Sequence, residues 1–296
     1  MFAFIDFFLS GDYKIRTLAI KLGAEFVSLK SVPSLVTTMQ SQYRIFRQKA
    51  NMRAPFFSEM NARAKVAYES INDSDTAIAN MYDAEYGGEV GPHYAYLNSL
   101  LNVEGFEIIT GIEACSVKQL RMVDIGAGSN ELLRFLRDEL LVPSENLVGT
   151  DISPASRDVI AKDGFAAYVG RTELLPIAPE SYDASFLSYF VDYDTDQHAT
   201  FESALKMTRS GGKVILEGLF PCTSFGLLPK DRETLKFVTK GESAAEDIEL
   251  VALDFINIGE SLGRKVEVER ICIGERYVYS HFGLVQLPSY FLTLSV

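Results

Sequence analysis

The chain has 296 residues, which is long enough to bury a complete hydrophobic core, as one large domain or as a domain with an extension. Its hydrophobic content of 47% and charged content of 23% are ordinary for a soluble globular protein. The net charge of −12 and the isoelectric point near 4.8 argue against a nucleic acid as main partner, because phosphate backbones are bound by clustered Lys and Arg. The composition favours a small-molecule partner.

The cysteines and the first residues bear on the compartment. Cys115, Cys222 and Cys272 stand far apart and lack metal-ligand spacing, so we predict a reducing compartment and no metal site. The apolar segment 1–9 carries Asp6 and no preceding basic residue, which is unlike a signal peptide, and it is too short to span a membrane. We expect a cytoplasmic enzyme that is not attached to a membrane.

The first part of the chain has apolar residues at helical spacing. Ile15, Leu18 and Leu22 share one helical face, and further helical faces continue to about residue 50. Short helices alone cannot bury the many aromatic side chains of this region, so these should pack on the rest of the protein or on a second subunit. We predict that residues 1–115 form a helical extension, either a lid or an oligomerisation arm, and that the protein is a homo-oligomer.

Two candidate site residues, Tyr82 and His93, come before the strand that is predicted near residue 121. Tyr82 belongs to a Tyr-Asp segment, and two glycines follow it a few residues later. Its side chain either packs within a helical region or covers a bound ligand. His93 follows Pro92, where a histidine either forms a surface turn or acts as a general base under a substrate lid. Both alternatives stay open at these positions.

The pattern of residues 121–137 predicts a strand, a tight glycine turn and a helix. Gly126 and Gly128 let the backbone turn sharply and approach a ligand closely, and the helix N–H groups point into the same gap. The third glycine of the dinucleotide fingerprint is absent, since Glu131 stands at that position. Asp124 stands two residues before the first glycine, and its charge disfavours a diphosphate and suits an ammonium or sulfonium group.

The stretch Val123-Asp124-Ile125-Gly126-Ala127-Gly128 resembles the first motif of class I S-adenosylmethionine-dependent methyltransferases. The resemblance implies S-adenosylmethionine as cofactor, with Asp124, Gly126, Ala127 and Gly128 around its aminoacid end. Asn130, where the motif often has glycine, either adds a polar side chain beside that end or caps the following helix. A glycine turn in another kind of parallel α/β protein is the alternative.

The second predicted strand, 146–150, is followed by Asp151 and Ile152. A carboxylate at this strand end can accept hydrogen bonds from both hydroxyls of a ribose, so we place both residues at the cofactor ribose. Ser153 and Pro154 should be the N-cap and the first residue of the next helix. An N-capping role for Asp151 itself is a minor alternative.

The third predicted strand, 164–170, is followed by Arg171, Thr172 and Glu173. The pattern Gly-x-x-Glu-x-Leu-Pro resembles ubiquinone-type and natural-product-type methyltransferases, which commonly have an acid directly after the glycine that accepts from the adenine amino group. Here that residue is Arg171, and a guanidinium has no acceptor atom. The adenine contact should therefore come from Glu173, from the backbone around Thr172, or from neither.

The fourth predicted strand leads to Ser188 and Tyr189, and ligands of parallel sheets bind beyond such strand ends. The resemblance implies that both residues lie near the reactive end of the cofactor. Small-molecule methyltransferases often carry a Tyr-Asp segment ahead of the core, which would place Tyr82 over the cofactor as well. The candidate catalytic residues are His93, Asp192 and Tyr193.

The rest of the chain completes the sheet. A glycine turn and a fifth strand precede a helix at 246–262, and three closing strands follow at 265–274, 277–285 and 290–296. An antiparallel last strand is usual in the family. We predict an α/β fold in which residues 116–296 form a Rossmann-like class I methyltransferase sheet, mostly parallel with an antiparallel last strand, next to the N-terminal helical extension.

Three functions fit this pattern. The first is methyl transfer from S-adenosylmethionine to a small-molecule acceptor in biosynthesis, in which the protein aligns the groups for in-line attack. The second keeps the cofactor but cyclises or transfers its aminoacid arm and releases methylthioadenosine, since one fold hosts several reactions. The third is a non-catalytic ligand-binding protein, against which the two acids Asp124 and Asp151 argue. We expect neither nucleic acids nor membranes as partners.

Overall fold

The computed structural model describes residues 13–35, 99–128, 130–188, 197–219, 244–280 and 283–296. These residues contain an eight-stranded sheet with helices on both faces. The strands are β1 (Glu25–Ser28), β2 (Met122–Ile125), β3 (Leu147–Asp151), β4 (Ala166–Val169), β5 (Tyr182–Ser188), β6 (Thr208–Leu219), β7 (Glu267–Ser280) and β8 (Gly283–Ser295). The helices are α1 (13–22), α2 (Val103–Thr110), α3 (Glu131–Asp138), α4 (Pro154–Lys162), α5 (Gln197–Met207) and α6 (Ala244–Ser261).

The strand order across the sheet is β1-β7-β8-β6-β5-β2-β3-β4. Neighbouring strands are parallel except for β8, which runs antiparallel to both β6 and β7. The predicted fold, a mostly parallel Rossmann-like sheet with an antiparallel last strand, is confirmed. Because β2, β3, β5 and β6 are parallel, their carboxyl ends lie at one edge of the sheet, where ligands of such sheets bind.

Two apolar clusters sandwich the sheet. One lies under α2, α3 and α4, which cover what we call the front face, and the other lies under α1, α5 and α6 on the back face. In β2, Val123 and Ile125 belong to the back cluster and Met122 to the front cluster. Side chains alternate along a strand, so Asp124 lies on the front face.

Gly149 in β3 allows the front helices to approach the sheet. A Cβ atom at this position would lie 3.0 Å from the Cδ1 atoms of both Leu133 in α3 and Ile160 in α4. Such contacts are tighter than ordinary packing distances, so a side chain here would require the Leu133 and Ile160 side chains to shift. Leu133 lies in the first turn of α3 and Ile160 near the end of α4, so both helices pack closely on β3.

The predicted helices of the first fifty residues are confirmed for α1 but wrong for residues 25–28, which form β1. The segment contains the aromatic Phe26 and the β-branched Val27, which suit a strand. Among the described residues it is a parallel edge strand that pairs with β7, with Glu25 opposite Arg270. A four-residue strand paired with a segment near the other end of the chain leaves little local signal.

The three predicted closing strands are also wrong, because the described residues there form two long strands, β7 and β8. Their register runs from Glu267 opposite Ser295 to Ser280 opposite Gly283, and it continues through Pro288, where the sequence suggests a break. The predicted division of the chain at residue 115 stays a prediction. On its N-terminal side, β1 and α2 pack on the same sheet as the rest.

Neither a membrane span nor a metal cluster is found in the part of the chain that the structure describes. No helix there combines the length and apolar character needed to cross a bilayer. Likewise, no group of three or more His, Cys, Asp or Glu side chains within the described ranges could hold a metal ion.

Arg270 of β7 ties α2 to the sheet, which generates a first prediction. Its guanidinium donates to the backbone oxygens of Ile108 at 2.7 Å and Glu107 at 3.3 Å, near the end of α2, and it pairs with Glu25 at 3.0 Å. We expect Arg270→Ala to lower the free energy of unfolding by about 1–3 kcal/mol, because two helix-terminal carbonyls lose a charged donor. Urea unfolding measures this change.

The matched control is Arg157→Ala, which removes an exposed ion pair with the neighbouring Asp158. Exposed pairs contribute little, so this variant should lose less than about 0.5 kcal/mol. Equal losses in both variants would contradict the role given to Arg270.

Candidate functional site

The glycine turn after β2 is hydrogen-bonded to the end of β3. Gly126 and Gly128 adopt positive φ angles of 75° and 52°, a conformation that glycine reaches without strain. The backbone N–H groups of Gly126 and Ala127 both donate to the carbonyl oxygen of Thr150, at 2.8 and 2.9 Å. The turn therefore lies directly over the carboxyl end of β3.

Asp151, the last residue of β3, joins the loops on either side of it. Its Oδ2 accepts from the backbone N–H of Gly128 at 2.9 Å, and its Oδ1 accepts from that of Ser153 at 2.8 Å. Burial raises the pKa of Asp151 above its ordinary value, and hydrogen bonds from Ser153, Gly128, Ser156 and Ile152 partly offset this rise. The carboxylate therefore organises the turn and the start of α4 through these hydrogen bonds.

The start of α4 agrees with the sequence prediction. Ser153 is the N-cap, its side chain accepts from the backbone N–H of Ser156, and Pro154 begins the helix. The alternative N-cap role for Asp151 is therefore wrong, although its carboxylate does accept from the N–H of the capping residue.

Asp124 is a buried acid at this edge of the sheet. Its residue is only 3% exposed, and within the described ranges its Oδ1 has no hydrogen-bond partner. Burial raises the pKa of Asp124 well above its ordinary value, and the negative charge of Asp151 raises it further. A buried carboxylate with a free oxygen needs a donor or a cation to offset its desolvation.

Asn130 stands where the methyltransferase motif often has glycine, at the N-cap of α3. It has a left-handed conformation, with φ 56° and ψ 28°, which asparagine tolerates better than most residues. Its side chain makes no capping hydrogen bond, so side-chain capping, one of its two predicted roles, is wrong. Instead Nδ2 donates to Asp163 at 3.1 Å, while the buried Oδ1 finds no partner among the described atoms.

The segment after β4 lies next to Asp151. The N–H of Gly170, whose φ is 133°, donates to the backbone oxygen of Asp151 at 3.0 Å. Arg171 then donates from Nε to the carboxylate of Glu173, so the unexpected arginine and the candidate adenine acceptor form an ion pair. Thr172 is buried between them.

The structure brings several predicted positions together and leaves others outside its described ranges. Asp124, Gly126, Ala127, Gly128, Asn130, Asp151, Ile152, Arg171, Thr172, Glu173 and Ser188 all lie at the carboxyl edge of β2, β3, β4 and β5. Outside the described residues lie Tyr82, His93, Tyr189, Asp192 and Tyr193.

Sequence reasoning missed two acids of this edge. In the sequence, Glu131 stands out only as a departure from the dinucleotide fingerprint. Burial raises the pKa of Glu131 to about 7, and the positive charge of Arg134 partly offsets this rise. Glu217 is 1% exposed at the outer part of β6, next to Ser188 in the register. An acid that follows the apolar run Val214-Ile215-Leu216 was the available signal.

Comparisons with known proteins agree with this geometry. The family described as a methyltransferase domain matches residues 123–216. A structure described as the conversion of a disulfide bond into a thioacetal group during echinomycin biosynthesis is 16% identical, covers 73% of this chain and 91% of its own, and superposes with a TM-score of 0.50. A search of curated proteins finds no match.

Two further solved structures are similar over most of their length. A putative S-adenosylmethionine-dependent methyltransferase from Methanococcus maripaludis is 18% identical, with coverage of 76% of this chain and 96% of that one and a TM-score of 0.44. A S-adenosylmethionine-dependent methyltransferase from Methanosarcina mazei is 14% identical, with coverage of 60% and 92% and a TM-score of 0.43.

The family match, the sheet topology and the glycine turn define the class of the domain. The chain contains a class I S-adenosylmethionine-dependent methyltransferase domain, and the cofactor that this implies is S-adenosylmethionine. The residues fit that cofactor, because the buried free oxygen of Asp124 suits the ammonium group of its aminoacid end.

The conformation of Asn130 generates a prediction that separates backbone strain from side-chain contacts. Both Asn130→Gly and Asn130→Ala lose the bond to Asp163, but only alanine resists the left-handed conformation. We expect Asn130→Ala to be less stable than Asn130→Gly by about 1 kcal/mol, measured by chemical denaturation.

Asn146 provides the control, since its φ is not positive. There the order of the two substitutions should reverse, with glycine the less stable because it has more freedom in the unfolded chain. The same order at both positions would contradict the argument.

Glu131 generates a prediction about pH. Its folded-state pKa of about 7 exceeds the ordinary value of 4.5, so the folded protein binds more protons than the unfolded chain between these values. The stability of the ligand-free protein should therefore fall as pH rises from 4.5 to about 7. Glu131→Gln should flatten this slope in urea unfolding curves, and the exposed Glu139→Gln should not. A slope in Glu131→Gln as steep as that of the wild type would contradict this assignment.

Proposed function

We propose that the protein transfers a methyl group from S-adenosylmethionine to a small-molecule acceptor, in a biosynthetic reaction. The observation that carries the proposal is the buried carboxylate of Asp124, whose Oδ1 has no hydrogen-bond partner among the described atoms. Asp124 stands two residues before the glycine turn, which Asp151 holds in place. A cationic ligand end offsets the desolvation of such an acid, whereas a diphosphate would be repelled.

Each part of the edge has a proposed role toward the cofactor. Asp124 accepts from the ammonium group, and the backbone of Gly126, Ala127 and Gly128 approaches the aminoacid end closely. Asp151 accepts from the ribose hydroxyls, while the backbone N–H groups of Gly128 and Ser153 hold its carboxylate in place. The remaining cofactor-binding candidates are Tyr82, Asn130, Ile152, Arg171, Thr172, Glu173, Ser188 and Tyr189.

The Arg171–Glu173 ion pair supports a role for both residues at the adenine of the cofactor. Glu173 retains acceptor capacity for the adenine amino group, because one of its oxygens is not engaged by Nε of Arg171. Arg171 can donate to a ring nitrogen of the base at the same time. The pair would thus replace the single acid that the related enzymes commonly use.

The chemistry needs little beyond alignment. When bound, S-adenosylmethionine supplies a methyl group that the sulfonium already makes electrophilic. The protein contributes positioning for in-line attack and, for a protonated nucleophile, a general base, for which His93, Asp192 and Tyr193 are the candidates.

The N-terminal part supports self-association. Tyr13 and Ile20 on α1 are 72% and 75% exposed, and Leu250 on α6 is 63% exposed, which leaves apolar surface on the back-face helices. We propose a homo-oligomer that forms through the N-terminal helices. A cytoplasmic location and the absence of nucleic-acid and membrane partners complete the proposal.

The deciding experiment is incubation of the protein with S-adenosylmethionine alone, followed by mass spectrometry of the small molecules. An unchanged cofactor that binds in calorimetry supports methyl transfer and directs the search to acceptors. Methylthioadenosine formed without an acceptor would replace the proposal by chemistry on the aminoacid arm. Absence of binding would refute the whole assignment.

Asp124 and Asp151 give the matching prediction for binding. We expect Asp124→Asn and Asp151→Asn each to weaken S-adenosylhomocysteine by at least about tenfold in calorimetry, because charge-assisted hydrogen bonds in a buried site are lost. The exposed Asp158→Asn is the control and should bind as the wild type does. Wild-type affinity in Asp124→Asn would contradict its place at the ammonium group.

A further inference from the structure

A row of polar residues crosses the front face at the carboxyl edge of four adjacent strands. The row runs from β3 through β2 and β5 to β6 and consists of Asp151, Asp124, Ser188 and Glu217. Alternation places each on the front face, because Gly149, Met122, Phe186 and Ile215, each two positions earlier on its strand, contact the front cluster. Within this row the buried Asp124 has an oxygen without a described partner.

Glu217 lies at the far end of the row, beyond the two acids assigned to the cofactor. In the register it stands beside Ser188 on β5 and Phe291 on β8. Asp124 stands beside Phe186, so Glu217 is two strands across and two residues further out. With strands about 4.8 Å apart and a rise of about 3.3 Å per residue, the two backbones are about 12 Å apart.

Two further buried serines, Ser289 and Ser99, lie toward β8 and β7, on the other side of Glu217 from Asp124. Ser289 on β8 is 1% exposed and lies on the same face, two residues from Phe291. Ser99, in the 3-10 turn before α2, is 2% exposed. A Cβ atom at Gly274 would lie 3.5 Å from Oγ of Ser99 and 3.6 Å from Oγ of Ser289, so both hydroxyls lie near Gly274 on β7.

We propose that Glu217 binds a protonated amino group of the acceptor, and this rests on the proposed function. A carboxylate has about four lone-pair sites, so Glu217 can hold an ammonium group and keep its contacts within the protein. At 1% exposure, water screens the attraction weakly, which makes the site selective for charge. The net charge of −12 favours the approach of a cationic acceptor over an anionic one.

The location agrees with an acceptor site rather than with a second cofactor contact. Ser188, the predicted neighbour of the reactive end of the cofactor, stands between Asp124 and Glu217 on the front face. An acceptor anchored at Glu217 would therefore reach the same strand end from the opposite side. Ser289, on the neighbouring strand β8, would provide a hydrogen bond to a polar group next to the amine.

The test measures charge preference on the full-length protein saturated with S-adenosylhomocysteine. The probes are phenylalkylamines of increasing chain length, each compared with the phenylalkanoate and the phenylalkanol of equal length, by ligand-observed NMR and calorimetry. We expect the best amine to bind at least about tenfold more tightly than its matched acid and alcohol, and Glu217→Gln to remove this preference. The exposed Glu260→Gln is the control and should keep the preference.

A second variant separates recognition from folding. Glu217→Asp keeps the charge and should keep the preference for amines, while near-ultraviolet circular dichroism and the affinity for S-adenosylhomocysteine report whether each variant is folded. Amines that bind no better than their matched acids and alcohols, or a preference that survives in Glu217→Gln, would overturn the inference. Failure of the wild type to bind S-adenosylhomocysteine would instead refute the proposed function.

Discussion

Asp151 accepts hydrogen bonds from two loops at once, from Gly128 in the turn after β2 and from Ser153 at the start of α4. The neighbouring carbonyl of Thr150 accepts from the same turn, and the carbonyl of Asp151 accepts from Gly170 beyond β4. Three loops at the ligand edge are therefore fixed to the end of one strand. Without this anchor, the turn with its positive φ angles would lose the hydrogen bonds that fix it to β3.

The same arrangement places two carboxylates close together in a buried environment, which disfavours the ligand-free fold. Burial raises the pKa of both acids, and the charge of Asp151 raises that of Asp124 further. A core built for stability alone would avoid such a pair, because isolated buried charges are strongly unfavourable. A cationic ligand reverses the balance, since it interacts favourably with the ionised form of both groups.

The sequence predicts the parts of the site that depend on local chemistry. Gly126, Gly128, Asp124, Asp151 and the Ser153–Pro154 helix start follow from short-range patterns, and so does the mostly parallel sheet. β1 could not be predicted, because its four residues gain their conformation from β7 near the other end of the chain. The ion pair of Arg171 with Glu173 and the burial of Glu217 likewise depend on neighbours that the linear pattern does not specify.

The glycine positions of this site have different physical requirements that look alike in sequence. Gly126 and Gly128 need a positive φ, and Asn130 meets the same requirement at the third position with a side chain that reaches Asp163. Gly149 instead has little room for a side chain, because side chains of α3 and α4 pack against it. Asparagine can stand in for glycine where the backbone must be left-handed, but not where a side chain has no room. The asparagine at position 130 therefore indicates that this position requires a left-handed backbone and not a small residue.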